Sequence, residues 1–141
     1  MIEGLLVGIS TAFSIQNMLM LLGGCLIGTF IGMLPGLGPM SIIAIMMPIS
    51  ISLGDPAAAL ILLSGVYYSA IFGGSTSSIL LNAPGVAGTV ASSFDGYPMA
   101  QKGLAGKALT VAAISSFLGG TIGAVLLMIF APMLSSVALL F

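Results

Sequence analysis

Two stretches of this sequence place polar or conformationally unusual residues in patterns that could do chemistry. The first is Ser75-Thr76-Ser77-Ser78-Ile79-Leu80-Leu81-Asn82-Ala83-Pro84-Gly85, in which four hydroxyl residues, a short apolar run and an Asn-x-Pro-Gly break follow one another. A lone Ser or Thr in an apolar helix bonds its own helix carbonyls and calls for no functional explanation. Four in a row, followed by an Asn where Pro and Gly interrupt the helix, offer amides at one broken end, carbonyls at the other and neutral oxygens beside them. The second stretch is Pro35-Gly36-Leu37-Gly38-Pro39. Two prolines flanking two glycines remove backbone donors and loosen the chain, which makes this either a plain turn or a break inside a helix. It is not a nucleotide loop, because Ser41 stands where a G-x-G-x-x-G motif needs its third Gly.

The surroundings of these stretches decide their setting. The chain has 141 residues, 59% hydrophobic before its 20 glycines are counted and 4% charged; a soluble globular domain is ~45–50% apolar with glycine included. The charges are Glu3, Asp55, Asp95, Lys102 and Lys107. The uncharged intervals after Glu3, Asp55 and Lys107 each exceed the ~20 apolar residues that cross a bilayer. The chain is therefore read as all-α, a polytopic transmembrane helix bundle in the lipid bilayer. With no His there is no His-dependent triad, no zinc helix and no imidazole acid or base. Cys25 alone makes no intrachain disulfide. Two Lys and no Arg leave no basic patch, which excludes nucleic acid as a partner. Asp55 and Asp95 flank opposite ends of a span and cannot form a close acid/base pair, so no enzymatic activity and no catalytic residue are expected.

The elements that must position the two stretches follow from the apolar blocks and breaks. Spans are expected over 13–33, 40–53, 57–73 and 108–131, with 75–90 as a re-entrant half-helix, all within one transmembrane domain covering 1–141. Asp55 before Pro56 suits the N-cap of the third span, which is expected to end at Gly73-Gly74. Residues 89–107 hold Asp95, Gly96, Pro98, Lys102, Gly103, Gly106 and Lys107, and read as an aqueous or interfacial loop; its two Lys place it at the cytoplasm. Gly24, Gly28 and Gly32 recur every four residues on one face of the first span, a spacing that lets a second helix backbone approach closely. The N-terminus has no basic residue before its apolar run, against a cleaved signal peptide. The chain ends on Val137-Ala138-Leu139-Leu140-Phe141 without a polar flank, from which it is expected to be part of something longer.

In such a bundle the absence of charge around Pro35-Gly36-Leu37-Gly38-Pro39 favours membrane depth, where unpaired backbone is tolerated only if it lines a cavity or binds a ligand. Discontinuous, broken or re-entrant helices of this kind furnish transporters with seats for carboxylates and sodium. An unpaired amide is costly in hydrocarbon, so the Asn82 side chain is expected to face a polar cavity.

Four blocks taken together resemble a known family. Gly28-Thr29-Phe30-Ile31-Gly32-Met33-Leu34-Pro35-Gly36-Leu37-Gly38-Pro39, Tyr67-Tyr68-Ser69-Ala70-Ile71-Phe72-Gly73-Gly74-Ser75, Ile79-Leu80-Leu81-Asn82-Ala83-Pro84-Gly85 and Asp95-Gly96-Tyr97-Pro98-Met99-Ala100 are similar to the N-terminal part of the large membrane subunit of the tripartite tricarboxylate transporters. The similarity extends over about residues 15–135. It implies a bacterial inner-membrane, multi-pass secondary transporter that imports di- or tricarboxylates such as citrate. It further implies a periplasmic solute-binding protein that delivers the substrate and a small membrane subunit alongside. Family members are several times longer, so the resemblance covers only a first part. The matched positions Gly36, Gly38, Ser75, Asn82, Pro84 and Gly85 become candidate substrate or ion contacts, with sodium near Ser75 and Asn82 as coupling ion and no other cofactor. The alternative is a truncated, non-transporting membrane assembly or interaction protein.

Overall fold

A computed structural model of the chain describes residues 2–138. Among the described residues six α-helices follow one another: α1 (Ile2–Ala12), α2 (Ile15–Gly32), α3 (Pro39–Ser52), α4 (Pro56–Leu81), α5 (Val90–Met99) and α6 (Ala105–Ala138). A 3-10 turn at Ala87–Thr89 precedes α5, and a π-helical turn at Ala100–Leu104 joins α5 to α6. No strand occurs among the described residues. α2, α4 and the run Ala87–Ala131 are long and apolar enough to cross a membrane, while α3 is shorter.

Local chemistry sets most of the helix starts. Ser14 is extended and its hydroxyl accepts from the Asn17 amide, which caps α2. Asp55 caps α4, its Oδ1 accepting from the Ala57 N–H at 2.9 Å, with Pro56 at the first helical position. Gly38 is extended before Pro39, which opens α3 in the same way without a side-chain cap.

Packing is dominated by α2 against α4, and the contact is backbone on backbone. A Cβ added at Gly24 would meet the Leu62 carbonyl, at Gly28 the Val66 carbonyl and Ser69 Oγ, and at Gly32 the Ala70 backbone. From the other side, Gly65 abuts Leu21, and Gly73 abuts Thr29 and Met33. The paired positions rise together along the chain, so α2 and α4 run parallel. Small residues every four positions on each helix, Gly24/Gly28/Gly32 and Gly65/Ser69/Gly73, interleave. A parallel pair needs a return element between them, and α3 supplies it: Ile42 and Met46 pack on Leu62, Val66 and Ala70 to form the buried apolar core. The remaining faces present large apolar side chains outward, among them Leu26 and Phe30 on α2 and Phe117 and Ile122 on α6, as lipid-facing surfaces do.

Three expectations are corrected. α4 does not end at Gly73-Gly74, and 75–90 is not a separate re-entrant half-helix; α4 runs unbroken to Leu81. A helical Gly costs ~1 kcal/mol relative to Ala, but here both glycines are where other segments press against the helix, Gly73 against α2 and Gly74 against Val86. The hydroxyls that suggested a break stay within the helix: Ser75 donates to the Ile71 carbonyl, Thr76 to Phe72, and Ser77 and Ser78 to Gly74. Residues 89–107 are likewise no loop. They form α5, the π-helical turn and the start of α6, because Gly96 packs directly on Ile79 of α4 and gives this polar stretch a surface to fold against. The one departure from helical geometry there is Gly103, at φ 77°.

The glycine interface makes a prediction. Gly28→Leu and Gly32→Leu should each lower the yield of folded protein in detergent and destabilise it by ~1–3 kcal/mol or more through overpacking. Gly23→Leu, where a Cβ meets nothing within 4 Å, should melt like the parent in the same thermal unfolding measurement.

Candidate substrate and ion site

The loop between α2 and α3 and the segment after α4 come to the same place on α4. α2 closes with the Met33 and Leu34 amides donating to Thr29 and Ile31, and a turn from Leu34 to Leu37 follows, with Gly36 at φ 89°. Only a residue free of Cβ crowding holds that angle at little cost. Gly38 then leads into α3. On the other side α4 ends at Asn82, and the chain doubles back so that Gly85 lies against the Gly32 and Leu34 carbonyls and Gly74 Cα. Val86 completes the junction, one methyl beside Gly38 and the other beside Gly74.

A buried hydroxyl pair locks this arrangement. Ser78 is fully buried and Thr89 nearly so. Their oxygens are 3.0 Å apart, Ser78 Oγ also reaches the Gly74 carbonyl at 2.7 Å, and Thr89 Oγ1 donates to the Val86 carbonyl at 2.9 Å. The return segment is thereby tied to the turn of α4 that carries Gly74.

Of the residues singled out from sequence, Gly38 and Gly85 meet at the junction, through Val86 and Gly74. Gly36 is exposed with nothing near its α-carbon, and Pro84 is exposed. Asn82, expected to face a polar cavity, is exposed at the end of α4, where it takes left-handed φ 53° and ψ 32°. Asn tolerates that region better than most residues, and its backbone N–H donates to the Ser77 carbonyl. Its visible role is to end the helix. Ser75 is buried, about 10 Å below Asn82 along the helix axis, so one ion cannot touch both side chains. Gly24, Gly28 and Gly32 lie in the α2–α4 interface.

Sequence reading named Gly74 and Ser78 only within the glycine pair and the hydroxyl run and gave no role to Val86 or Thr89, which folding brings to them. It also missed that Ser75 opens onto a cavity of about 290 Å³ between α4, α5 and α6, which Ser92, Asp95, Ser115 and Ser116 also line. A helical reading of α5 would have found part of this set, since Ser92, Asp95 and Met99 recur at three and four residues. Among the described residues no three His, Cys, Asp or Glu side chains converge as a metal cluster. Asp55, at the start of α4, lies about 30 Å along the axis from Ser75 of that cavity, which keeps the two Asp apart.

Residues 18–141 match the model of the tripartite tricarboxylate transporter TctA family. The chain belongs to that family. It is also 46% identical over its whole length to an Agrobacterium vitis protein described as "Uncharacterized 52.8 kDa protein in TAR-I ttuC' 3'region". The chain spans 28% of that relative's length. No solved structure matches it. This TctA-family chain is thus a multi-helix membrane protein of a transporter family.

The left-handed cap makes a prediction. Asn82→Gly should preserve the melting temperature of the folded protein, whereas Asn82→Val, which forces a β-branched residue to positive φ, should destabilise it by ~1–2 kcal/mol. Equal melting of the two variants would show that the αL geometry does not end α4.

Proposed function

We propose that this TctA-family chain forms the first part of the large membrane subunit of a cation-coupled secondary transporter in the bacterial inner membrane. The substrate is a di- or tricarboxylate such as citrate, handed over by a periplasmic solute-binding protein, with a small membrane subunit alongside. The observation that carries this reading is the junction at Gly74. There the N-terminal end of α3, with its positive dipole end, and the C-terminal carbonyls of α2, with its negative end, meet beside the return segment. Helix ends of both signs at one point suit a carboxylate and a cation side by side. Gly38 and Gly85 lie at the junction, Gly36, Asn82 and Pro84 are exposed candidate contacts in the adjoining loops, and Ser75 is a candidate contact that faces the space between α4, α5 and α6.

Charge arithmetic supports coupling to a cation. A membrane potential negative inside opposes each negative charge imported by roughly 2.3 kcal/mol per 100 mV. The chain holds two Lys, Lys102 and Lys107, both exposed near the α5–α6 connection, and no nucleotide motif. Co-bound cations are left to make uptake favourable. Neutral hydroxyl and carbonyl oxygens suit sodium, a hard cation.

In liposomes carrying the chain with the rest of its transporter, an inward sodium gradient at constant pH should drive uptake of labelled citrate or a related carboxylate severalfold above the ungraded control. Uptake that follows an imposed pH gradient and ignores sodium would overturn the choice of ion. A preparation that neither binds nor moves any polycarboxylate would favour the assembly-protein alternative.

A further inference from the structure

We propose that the cavity between α4, α5 and α6 is a monovalent-cation site, with the Asp95 carboxylate as its charged ligand and the hydroxyls of Ser75, Ser92, Ser115 and Ser116 as its neutral oxygens. This inference rests on the cation-coupled reading above and gives the ion a place.

Five oxygen-bearing side chains from three helices line this space, whose other walls are apolar: Ile79, Met99, Val111 and Ala112. The space is an open groove: Ser75 is buried and Ser92 half-buried, while Asp95, Ser115 and Ser116 are exposed along it. At about 290 Å³ the cavity accommodates a sodium ion together with several waters, each of which takes ~30 Å³ of liquid. Asp55, by contrast, spends its carboxylate on capping α4.

The chemistry of the lining selects the ligand class. One formal negative charge amid hydroxyls matches one positive charge on a hard cation, which prefers oxygen donors. Divalent and transition-metal sites draw on several carboxylates, imidazoles or thiolates, and no cluster of three such groups forms among the described residues. An anionic substrate cannot be the occupant, because Asp95 repels it and neither Lys102 nor Lys107 is among the residues lining the cavity. Both Lys side chains are exposed, in the π-helical turn and the first turn of α6.

Position links this cavity to the junction described above. Gly74 touches Val86 and Thr89 of the return segment, while the next residue, Ser75, opens onto the cavity. A cation beside Asp95 therefore lies across one turn of α4 from the proposed carboxylate seat, where its field favours the bound anion. By linkage the anion favours the cation equally.

The test uses the complete transporter in liposomes, with sodium chloride against choline chloride at fixed pH. Asp95→Asn keeps the shape and removes the charge, and should raise the sodium concentration for half-maximal uptake at least tenfold; the Ser115→Ala/Ser116→Ala pair should raise it severalfold. A sodium-dependent parent with an unchanged Asp95→Asn sodium response overturns the site and leaves cation coupling standing. A parent indifferent to sodium overturns the reading on which the site rests. Should Asp95→Asn fail to fold, a cysteine reporter decides with Asp95 intact. In a Cys25→Ala background, Ala112→Cys should react with a maleimide severalfold more slowly in sodium than in choline, and equal rates overturn the proposal.

Discussion

The close backbone contact between α2 and α4 is the constraint on which the remaining geometry depends. In hydrocarbon, apolar side chains gain nothing by leaving lipid for one another, so helices associate where small residues let their backbones meet. Gly24, Gly28 and Gly32 on one helix and Gly65, Ser69 and Gly73 on the other provide that surface over three turns. Because the two helices run parallel, α3 must bring the chain back, and α2 reaches α4 at Gly73, about two-thirds of the way along its 26 residues. The α2–α3 loop therefore lies against the side of α4 and not beyond its end. The last two turns of α4 are left to receive the return segment, α5 and α6.

Satisfaction of polar groups explains why α4 survives its unusual sequence. Ser75, Thr76, Ser77 and Ser78 all direct their hydroxyls to carbonyls of their own helix, which keeps the backbone helical and the side chains paired. Ser78 then does more, because its oxygen also meets Thr89, eleven residues on. That contact holds the chain after its reversal at Asn82, and it sets the start of α5. A buried polar group near its full complement of partners is a strong positional constraint, since loss of either partner leaves the other unpaired in a place water does not reach.

Two faces of a single turn of α4, about 100° apart around its axis, thus meet two different environments. Gly74 faces a crowded junction of backbone, Val86 and Thr89, whereas Ser75 faces an open, mostly apolar space whose lining also carries hydroxyls and the Asp95 carboxylate. A chain with three acidic and two basic residues has few ways to act on charged solutes. On α4 the junction with the α2 and α3 ends lies at Gly74, and the space lined by hydroxyls and Asp95 begins at the next residue, Ser75.

What could be read along the chain was whatever depends on neighbours in sequence. Composition requires a membrane setting because so few charges and so much hydrocarbon leave no water-facing surface. Asp55 before Pro56 starts α4 through contacts two residues away, and the Pro/Gly clusters at 35–39 and 82–85 stop helices because ring and glycine geometry act locally. The four-residue glycine spacing indicated a close-packing face but not its partner. Whether Gly73-Gly74 breaks a helix was beyond that reading, since the answer lies in Thr29 of α2 and its cap residue Met33 pressing on Gly73 and in Val86 pressing on Gly74, all distant in the chain. For the same reason 89–107 looked like a loop until Ile79 was there for Gly96 to pack on. The meeting of Gly38 with Val86, and of Ser75 with Asp95 and Ser115, joins residues whose types carry no mark of one another. Pairings of that kind come from which helix surfaces lose least by closing together, a property of the assembled bundle that no local stretch of residues encodes.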